Sequence, residues 1–523
     1  MIGKGMPREP AETIIGQWEQ GSIQQPTRKH DMDSVTRDAD PSTVAGELER
    51  VSSGVPGLDQ VLDGGLIARR GYLLRGGPGL GKTTIGLSFL LAAEEEERTL
   101  FIGFQEPEAE LQANAARVGL DTRRIEFLSL APSEEFFTGA ETYDVFAASD
   151  VEQAPMIDTV VEAVERIQPQ RVFIDSLTHL RLMSADRYQF RQQVVSLLRF
   201  LVDRGATAMF TSEFSAESPD DDLQFLADGV ITLDPGISSP TVEVSKLRGS
   251  QTRRGPHQYR VDESGVQVFP RILPPMRRLT NGAGSVQFRS GNGGLDEMLH
   301  GGLESGTITL ITGPSGVGKS TVAAMIAAVA ARDGHRASVF QFEEELDGYL
   351  RRLRNLEIDV DGPLESENLR VEQIEPLRYL AEEFMADLLQ RIEEENIDLV
   401  VIDSVTGFDM ALNPDEAVHR PLHTLAKSLS RRGITVLLVN ENHAFGEDFQ
   451  ISSRDISHLA DNVIFFRYVH GGDTLEKLIG ILKKRMSNFE RVQRRFEIAP
   501  GGFRVGQPAS AVLQGDVGRK NKA

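Results

Sequence analysis

The chain has 523 residues, of which 40% are hydrophobic and 26% charged, as in an ordinary folded protein of two or three domains. Its 56 Lys and Arg against 78 Asp and Glu leave a formal charge of −22, which argues against a protein that mainly coats nucleic acid or an anionic membrane. The absence of Cys excludes disulfides, thiolate metal sites and cysteine nucleophiles.

The first segment, residues 1–46, is polar and contains many Pro, Gln and Asp residues, so we predict a disordered N-terminal extension. It has no apolar core followed by a small-residue cleavage site, and no run in the chain is long enough to span a membrane. We therefore expect a cytoplasmic protein with no membrane partner.

An internal repeat follows this segment. A motif of the form Ser-Gly, Gly-Leu-Asp and Gly-Gly-Leu begins at Ser53 and again at Ser290, an offset of 237 positions. The same offset relates four further pairs: Gly76 and Gly313, Lys82 and Lys319, Lys246 and Lys483, Arg248 and Arg485. A register held over separated motifs indicates a tandem duplication of one domain.

Each copy alternates short apolar runs with helical patterns. Strands are predicted at 72–75, 99–104 and 171–175, and again at 308–311, 338–342 and 399–403. Continuous apolar strands separated by helices predict an α/β fold with a mostly parallel sheet and helices on both faces. The predicted domain boundaries are 47–272, a linker at 273–284, 285–505, and a flexible C-terminal tail at 506–523.

Two glycine-rich segments, residues 76–83 and 313–320, match the phosphate-binding loop (P-loop) pattern between a predicted strand and a predicted helix. The glycines let backbone N–H groups converge on phosphates, and the Lys neutralises charge on the β- and γ-phosphates. The accidental match of a glycine-rich turn becomes a weak alternative when it occurs twice in register. The predicted ATP-binding residues are Gly76, Gly79, Leu80, Gly81, Lys82, Thr83, Thr84, Gly313, Ser315, Gly316, Val317, Gly318, Lys319, Ser320 and Thr321.

Magnesium is the expected second cofactor. Thr83 and Ser320 carry the P-loop hydroxyl that binds Mg²⁺, and Asp175 and Asp403 each end an apolar strand at the ligand edge of the sheet. An Asp at that place can also only cap the next helix. Glu344, discussed next, is included among the predicted metal residues.

Paired acids follow another strand. Glu343 and Glu344 stand where a carboxylate can orient and deprotonate an attacking water or hydroxyl group. The first copy has Gln105 and Glu106 instead, and Gln can position water but cannot accept its proton. We therefore expect the two sites to differ in rate or chemistry, unless these residues are only solvated acids that open a helix.

Two cations near the end of each copy, Lys246 with Arg248 and Lys483 with Arg485, are two positions apart and share one face of a strand. Such a pair can reach the phosphates of a neighbouring subunit as a charge-stabilising finger. A solvated basic strand is the alternative.

With these motifs the chain resembles the KaiC family, whose members are tandem RecA-like ATPases and autokinases. The resemblance covers residues 51–505 and implies two P-loop NTPase domains, assembly into a double-ring homo-hexamer, ATP hydrolysis, and a KaiB-like or signalling partner. By position, Gln105, Glu106, Glu343 and Glu344 correspond to the catalytic acids, and the two basic pairs correspond to trans-acting cations.

The family's second domain phosphorylates adjacent Ser and Thr residues, and the corresponding positions here are Ser457 and His458. The resemblance therefore implies serine autophosphorylation at Ser457 and a role in signalling or clock-like regulation. Two other functions use the same fold: a DNA-dependent recombinase or helicase motor, and a nucleotide-gated scaffold. The acidic charge and the lack of a basic, aromatic segment argue against nucleic acid as a partner.

Overall fold

The computed structural model describes residues 48–130, 148–184, 186–213, 220–237, 239–276, 286–375, 378–412, 420–442, 455–471 and 474–509. The predicted extension at 1–46 and most of the predicted linker and tail lie outside these ranges. The described residues form two domains of the same α/β architecture, which confirms the predicted fold class.

The first domain runs from β1 to β11. Its helices are α1 (Leu58–Val61), α2 (Lys82–Leu91), α3 (Glu108–Arg117), α4 (Ala148–Ile167), α5 (Thr178–Met183), α6 (Arg187–Asp203) and α7 (Asp221–Leu226). Its strands are β1 (Arg50–Val51), β2 (Leu66–Ile67), β3 (Gly71–Gly76), β4 (Thr99–Gly103), β5 (Glu126–Ser129), β6 (Arg171–Asp175), β7 (Thr207–Glu213), β8 (Gly229–Asp234), β9 (Thr241–Leu247), β10 (His257–Asp262) and β11 (Gly265–Phe269).

The second domain runs from β12 to β22. Its helices are α8 (Gly293–Met298), α9 (Lys319–Arg332), α10 (Leu346–Asn355), α11 (Asp361–Glu365), α12 (Ala381–Glu395), α13 (Val405–Leu412) and α14 (Arg420–Arg431). Its strands are β12 (Gln287–Phe288), β13 (Leu303–Glu304), β14 (Ile308–Gly313), β15 (Ala337–Gln341), β16 (Leu369–Gln373), β17 (Leu399–Asp403), β18 (Thr435–Glu441), β19 (Asn462–Gly471), β20 (Thr474–Lys484), β21 (Arg494–Ala499) and β22 (Gly502–Pro508). Strand β22 therefore includes three residues that the sequence assigns to the tail.

The two large sheets have equivalent strand orders. Among the described residues, the first sheet is ordered β5-β4-β6-β7-β3-β8-β9-β10-β11, and the second is β16-β15-β17-β18-β14-β19-β20-β21-β22. Pairing is parallel through β8 and β19 and antiparallel beyond them. The P-loop strands β3 and β14 lie inside the sheets, so the loop that follows each one stands on a rigid base.

The central parallel strands bury apolar side chains on both faces of each sheet. In β14, for example, Leu310 and Ile311 are fully buried in different apolar clusters on opposite faces. The P-loop helix α9 is mostly buried as well, since it packs against one face of the sheet, including β22, and against the short helix α11. The helix predicted after the second P-loop is thus present.

Close packing against the sheet leaves no room for a larger residue at one position of the P-loop helix α2 in the first domain. A Cβ atom added at Gly86 in α2 would lie 2.1–2.2 Å from ring atoms of Phe173, whereas one added at Gly348 in α10 would meet nothing within 4 Å. We expect Gly86→Ala to lower the free energy of unfolding by about 1–3 kcal/mol through overpacking. The matched Gly348→Ala should leave stability unchanged or raise it by up to ~1 kcal/mol.

Thermal unfolding followed by circular dichroism, with both glycine variants beside the wild type, tests this expectation. An unchanged melting temperature for Gly86→Ala would show that the helix can move away from Phe173, and so would contradict it.

The two domains touch where β10 meets the start of α12. The Arg260 guanidinium makes two hydrogen bonds to the Glu383 carboxylate, at 2.8 and 3.1 Å. The backbone N–H of Glu382 donates to the Gln258 side chain at 3.2 Å. Between these two residues, the Tyr259 hydroxyl donates to the carbonyl of Leu80 in the first P-loop, at 2.8 Å. The strand that supports the first P-loop therefore also contacts the second domain.

Candidate nucleotide sites

Each P-loop connects the end of a central strand to the first residue of a helix. The loop closes through a left-handed glycine, Gly81 at φ 83° and Gly318 at φ 118°, which directly precedes the helix. The ammonium group of each P-loop lysine hydrogen-bonds to backbone carbonyls of its own loop. Lys82 Nζ donates to the carbonyls of Gly76 and Gly77 at 3.0 and 2.8 Å, and Lys319 Nζ donates to that of Pro314 at 2.8 Å.

The P-loop hydroxyls hydrogen-bond to the aspartates that end β6 and β17. Thr83 Oγ1 donates to Asp175 Oδ2 at 2.7 Å, and Ser320 Oγ donates to Asp403 Oδ1 at 3.1 Å. The second oxygen of each carboxylate has a different partner in the two domains. Thr211 Oγ1 donates to Asp175 at 2.5 Å, whereas Gln341 Nε2 donates to Asp403 at 3.1 Å.

Burial acts on the charges of the second site. It raises the pKa of the Asp403 carboxyl and lowers the pKa of the Lys319 ammonium, while the nearby carboxylates of Glu441, Asp403 and Glu343 oppose the shift at the lysine. Both shifts indicate a low-dielectric site, in which the charges of a bound nucleotide and cation interact strongly.

A hydroxyl and one carboxylate at each P-loop suit Mg²⁺, which prefers oxygen ligands and completes its octahedron with water and substrate phosphates. Among the described residues, no cluster of three or more His, Cys, Asp or Glu side chains forms a separate metal cage. The residues present therefore fit a magnesium ion bound together with phosphate groups.

A cavity of about 600 Å³ surrounds the second P-loop. Its size is within the usual range for a small-molecule site. Its lining includes Lys319, Ser320, Asp403 and both predicted acids. Arg352 of α10, which sequence analysis did not single out, lines the same cavity.

The two acids of the second site have different partners. The carboxylate of Glu343 is exposed and accepts a hydrogen bond from the Ser404 hydroxyl, next to Asp403. The carboxylate of Glu344 is bound through both oxygens by the Arg352 guanidinium, at 2.8 and 3.2 Å. Adjacent residues of identical chemistry are thus held in different ways.

The first site lacks this arrangement. The Gln105 amide donates to the Nδ1 of His179 at 3.4 Å, and its side chain is exposed. Glu106 is also exposed, and no ion pair joins it to another described residue. The sequence difference between the two sites is therefore accompanied by a difference in hydrogen bonding.

The basic pairs lie at strand ends and bind backbone carbonyls of their own chain. Lys246 Nζ donates to the carbonyls of Gln224 and Ala227 at 2.8 and 2.7 Å, and the Arg248 guanidinium pairs with Asp228 at 3.3 Å. Burial, with the neighbouring Arg248, lowers the pKa of the Lys246 ammonium.

The second domain repeats this pattern. Lys483 Nζ donates to the carbonyls of Ser457 and Ala460 at 3.2 and 2.6 Å, and Arg485 pairs with Asp461 at 3.3 Å. In both domains the lysine lies within the strand, and the arginine follows the last strand residue.

These cations lie where β3 and β14 begin, and the P-loops of their own domains lie where these strands end. The strand-start side is called the basic edge of the sheet, and the strand-end side is called the P-loop edge. Asp228 accepts from the backbone N–H of Gly71, the first residue of β3, and Asp461 does the same for Ile308, the first residue of β14. The P-loops follow the last residues of these strands. A six-residue strand separates the two edges by about 17 Å, at 3.3 Å per residue.

Ser457 lies at the same edge as Lys483. It belongs to a short 3-10 helix, Asp455–His458, and its carbonyl accepts the hydrogen bond from Lys483. The nearby Ser452 and Ser453 lie outside the described residues. Ser457 is therefore remote from the nucleotide site of its own domain.

Sequence analysis missed several residues that contact the P-loops. In the second domain, strands β19 and β20 extend past the P-loop, where the Tyr468 hydroxyl donates to Ser315 at 3.5 Å and Lys477 donates to Gly316 at 3.1 Å. The first domain has shorter strands here, β8 and β9. A comparison of strand lengths between the copies would have signalled this difference.

Known proteins match the whole duplicated region. A model of the KaiC ATPase family matches residues 51–272 and again residues 288–510. The circadian clock oscillator protein KaiC of Synechococcus elongatus is 25% identical over 471 residues, which cover 87% of this chain and 88% of that protein. The circadian clock protein KaiC3 of Synechocystis sp. is 24% identical over 479 residues, covering 88% of this chain and 92% of that protein. No helix among the described residues is long and apolar enough to cross a membrane.

Proposed function

Because the chain belongs to the KaiC family of ATPases, we propose that both of its domains hydrolyse ATP bound with Mg²⁺ and that the second also phosphorylates Ser457. Hydrolysis and phosphorylation serve signalling or clock-like regulation. The single observation that carries this proposal is the position of the two basic pairs and Ser457, at the sheet edge opposite their own P-loops.

Groups placed at that edge act on the nucleotide of another subunit. A head-to-tail ring brings the basic edge of one copy against the P-loop edge of the next, because a heterologous interface that closes on itself makes a ring. With two such domains per chain, the assembly is a double-ring hexamer with nucleotide at the subunit interfaces.

Glu343 is the base of the second site. Water attacks the γ-phosphorus, the bond from that phosphorus to the β–γ bridging oxygen breaks, and Glu343 accepts the proton from the water. Mg²⁺ supplies charge neutralisation on the phosphates when bound. Ser320 and Asp403 hold the cation, and Lys319 and the neighbour's Lys483 and Arg485 stabilise the developing charge.

In the first site, two different side chains orient the attacking water and accept its proton. Gln105 orients the water, and Glu106 is the carboxylate that can accept its proton. Because both side chains are exposed and Glu106 has no ion pair among the described residues, this site depends more on the subunit interface for its geometry.

Ser457 replaces water as the nucleophile in the autokinase reaction. Its Oγ bonds to the γ-phosphorus of ATP on the adjacent subunit, the γ-phosphorus–bridging oxygen bond breaks, ADP leaves, and Glu343 of that subunit accepts the hydroxyl proton. The product places a charge of about −2 at the interface, next to Lys483 and Arg485. A phosphate there changes ring contacts, to which a KaiB-like or other signalling protein responds.

Labelled ATP tests the autokinase part of the proposal. Wild-type protein incubated with γ-labelled ATP should carry label chiefly on Ser457, as found by peptide mass mapping. Ser457→Ala should lose most of the label, and Lys319→Ala should lose it because the second P-loop no longer binds the donor.

Two results would exclude Ser457 as the acceptor. One is wild-type protein that hydrolyses ATP and takes up no label. The other is undiminished label in Ser457→Ala while Ser452 and Ser453 stay unmodified.

A further inference from the structure

Arg352 is a cation of the second nucleotide cavity that several neighbouring side chains hold in place. Its guanidinium binds both oxygens of Glu344 at 2.8 and 3.2 Å, and its third nitrogen donates to Thr321 Oγ1 at 3.1 Å. It also lies 5.2 Å from the ring centroid of Tyr349, a residue fully buried beneath it. Each of the three guanidinium nitrogens therefore has a protein hydrogen-bond partner, and the group also lies near an aromatic ring.

These contacts join three parts of the site. Thr321 is the third residue of α9 and follows Ser320, the hydroxyl expected on the magnesium ion. Glu344 follows Glu343 at the end of β15, and Arg352 lies on α10. A bidentate arginine–carboxylate pair has a fixed geometry, so Glu344 cannot turn toward the nucleotide without breaking it.

The first domain provides a natural contrast. Helices α3 and α10 both have ten residues and begin two residues after Glu106 and Glu344, respectively. In this register Arg352 corresponds to Asn114, whose exposed amide cannot form an ion pair with Glu106. The arginine thus occurs only in the domain that has two consecutive acids after the strand.

We propose that Arg352 is a positioning residue of the second site: by holding Glu344 and Thr321, it keeps Glu344 from acting as the base or as a magnesium ligand and leaves the proton to Glu343. This inference rests on the proposed function and refines the sequence-based assignment of Glu344. The magnesium ion is left to Ser320 and Asp403.

The test uses full-length protein and phosphate release, with the second-site rate defined as the rate above that of Lys319→Ala. Arg352→Met should lower the second-site kcat by about 10–100-fold, the usual cost of losing an outer residue that positions side chains around a metal site, with a much smaller change in KM. Its pH profile should gain a second ionisation on the acid side, because Glu344 is then free to compete with Glu343.

A double-mutant cycle separates positioning from direct contact with the nucleotide. If Arg352 acts through Glu344, the double variant Arg352→Met/Glu344→Gln should be no slower than the slower of the two single variants. Arg352→Lys keeps the charge without the planar fork and should retain part of the rate.

Arg354→Met is the matched control. Arg354 lies on the same helix and also binds both oxygens of a carboxylate, that of Asp361, at 2.7 and 3.2 Å, but it does not line the cavity. Because this pair is exposed, its loss should leave the second-site rate within about twofold of the wild type. Melting temperatures of all variants establish that they are folded.

The outcomes are distinct. A wild-type second site that releases no phosphate above Lys319→Ala means that the proposed function itself fails, and the role of Arg352 falls with it. An active second site in which Arg352→Met has the wild-type kcat and pH profile, or in which the two substitutions multiply their losses, overturns the Arg352 proposal alone.

Discussion

Glu343→Gln is expected to slow phosphate release from the second site by about 10²–10⁴-fold, the usual loss when a general base is removed. The amide keeps the size of the side chain and can still accept the hydrogen bond from Ser404, so the site should keep its shape. Only the ability to take a proton is lost. Phosphate release of this variant should therefore fall to the level of Lys319→Ala, in which the second site is inactive.

The control for Glu343→Gln is the reverse change in the first site. Gln105→Glu, made in the Lys319→Ala protein, supplies a proton acceptor where the chain has an amide, and it should leave the first-site rate unchanged or raise it. Equal, small effects of both substitutions would contradict the assignment of these residues. A full rate in Glu343→Gln would instead make Glu344 the base.

The second large effect concerns the basic pair. Loss of both Lys483 and Arg485 should lower the second-site rate by about 10³-fold or more, as for other cations that a neighbour contributes to phosphoryl transfer. Because these residues lie at the edge opposite their own P-loop, the loss should be repaired by another subunit. We expect Lys483→Ala/Arg485→Ala protein mixed with Lys319→Ala protein to regain activity that neither has alone.

The fraction of second-site activity that returns depends on how the two variants are distributed around the ring. In random equimolar rings, about one interface in four joins an intact P-loop to an intact basic pair, so the second-site rate should return to about a quarter of the wild-type value. Light scattering should establish that mixed rings form. As control, Lys319→Ala protein mixed with a chain lacking both Lys319 and the basic pair should gain nothing. Absence of recovery in the first mixture would show that the cations do not act across subunits.

The fold could be predicted from the sequence because its strongest determinants are local. Apolar runs of three and four residues mark β6 and β17, and the aspartate that ends each strand stands at the P-loop end of the sheet. The glycine-rich loops define the adjacent helix starts, and the repeat offset transfers each assignment to the other domain. Because the domain is duplicated, the two copies can be compared with each other. A single copy would need related proteins for the same comparison.

The side-chain partners could not be predicted in the same way, because they depend on which residues of α10, β7 and β15 reach the acids of each site. Three arginines lie within four positions of α10, and the sequence pattern does not say that Arg352 reaches Glu344 while Arg354 reaches Asp361. The partner of each metal-site aspartate likewise changes from Thr211 in one domain to Gln341 in the other. In both domains the aspartate accepts a second hydrogen bond, but the donor lies on a different strand of the sheet in each domain.

The bond from Lys483 to the backbone of Ser457 has a mechanical consequence. The proposed trans-acting ammonium hydrogen-bonds to the segment that carries the proposed acceptor hydroxyl, so the two belong to one structural unit at the end of β20. In the proposed ring, any displacement of this unit would therefore move the charge and the hydroxyl toward or away from the adjacent P-loop together. One structural change would then alter both transition-state stabilisation and access to the acceptor.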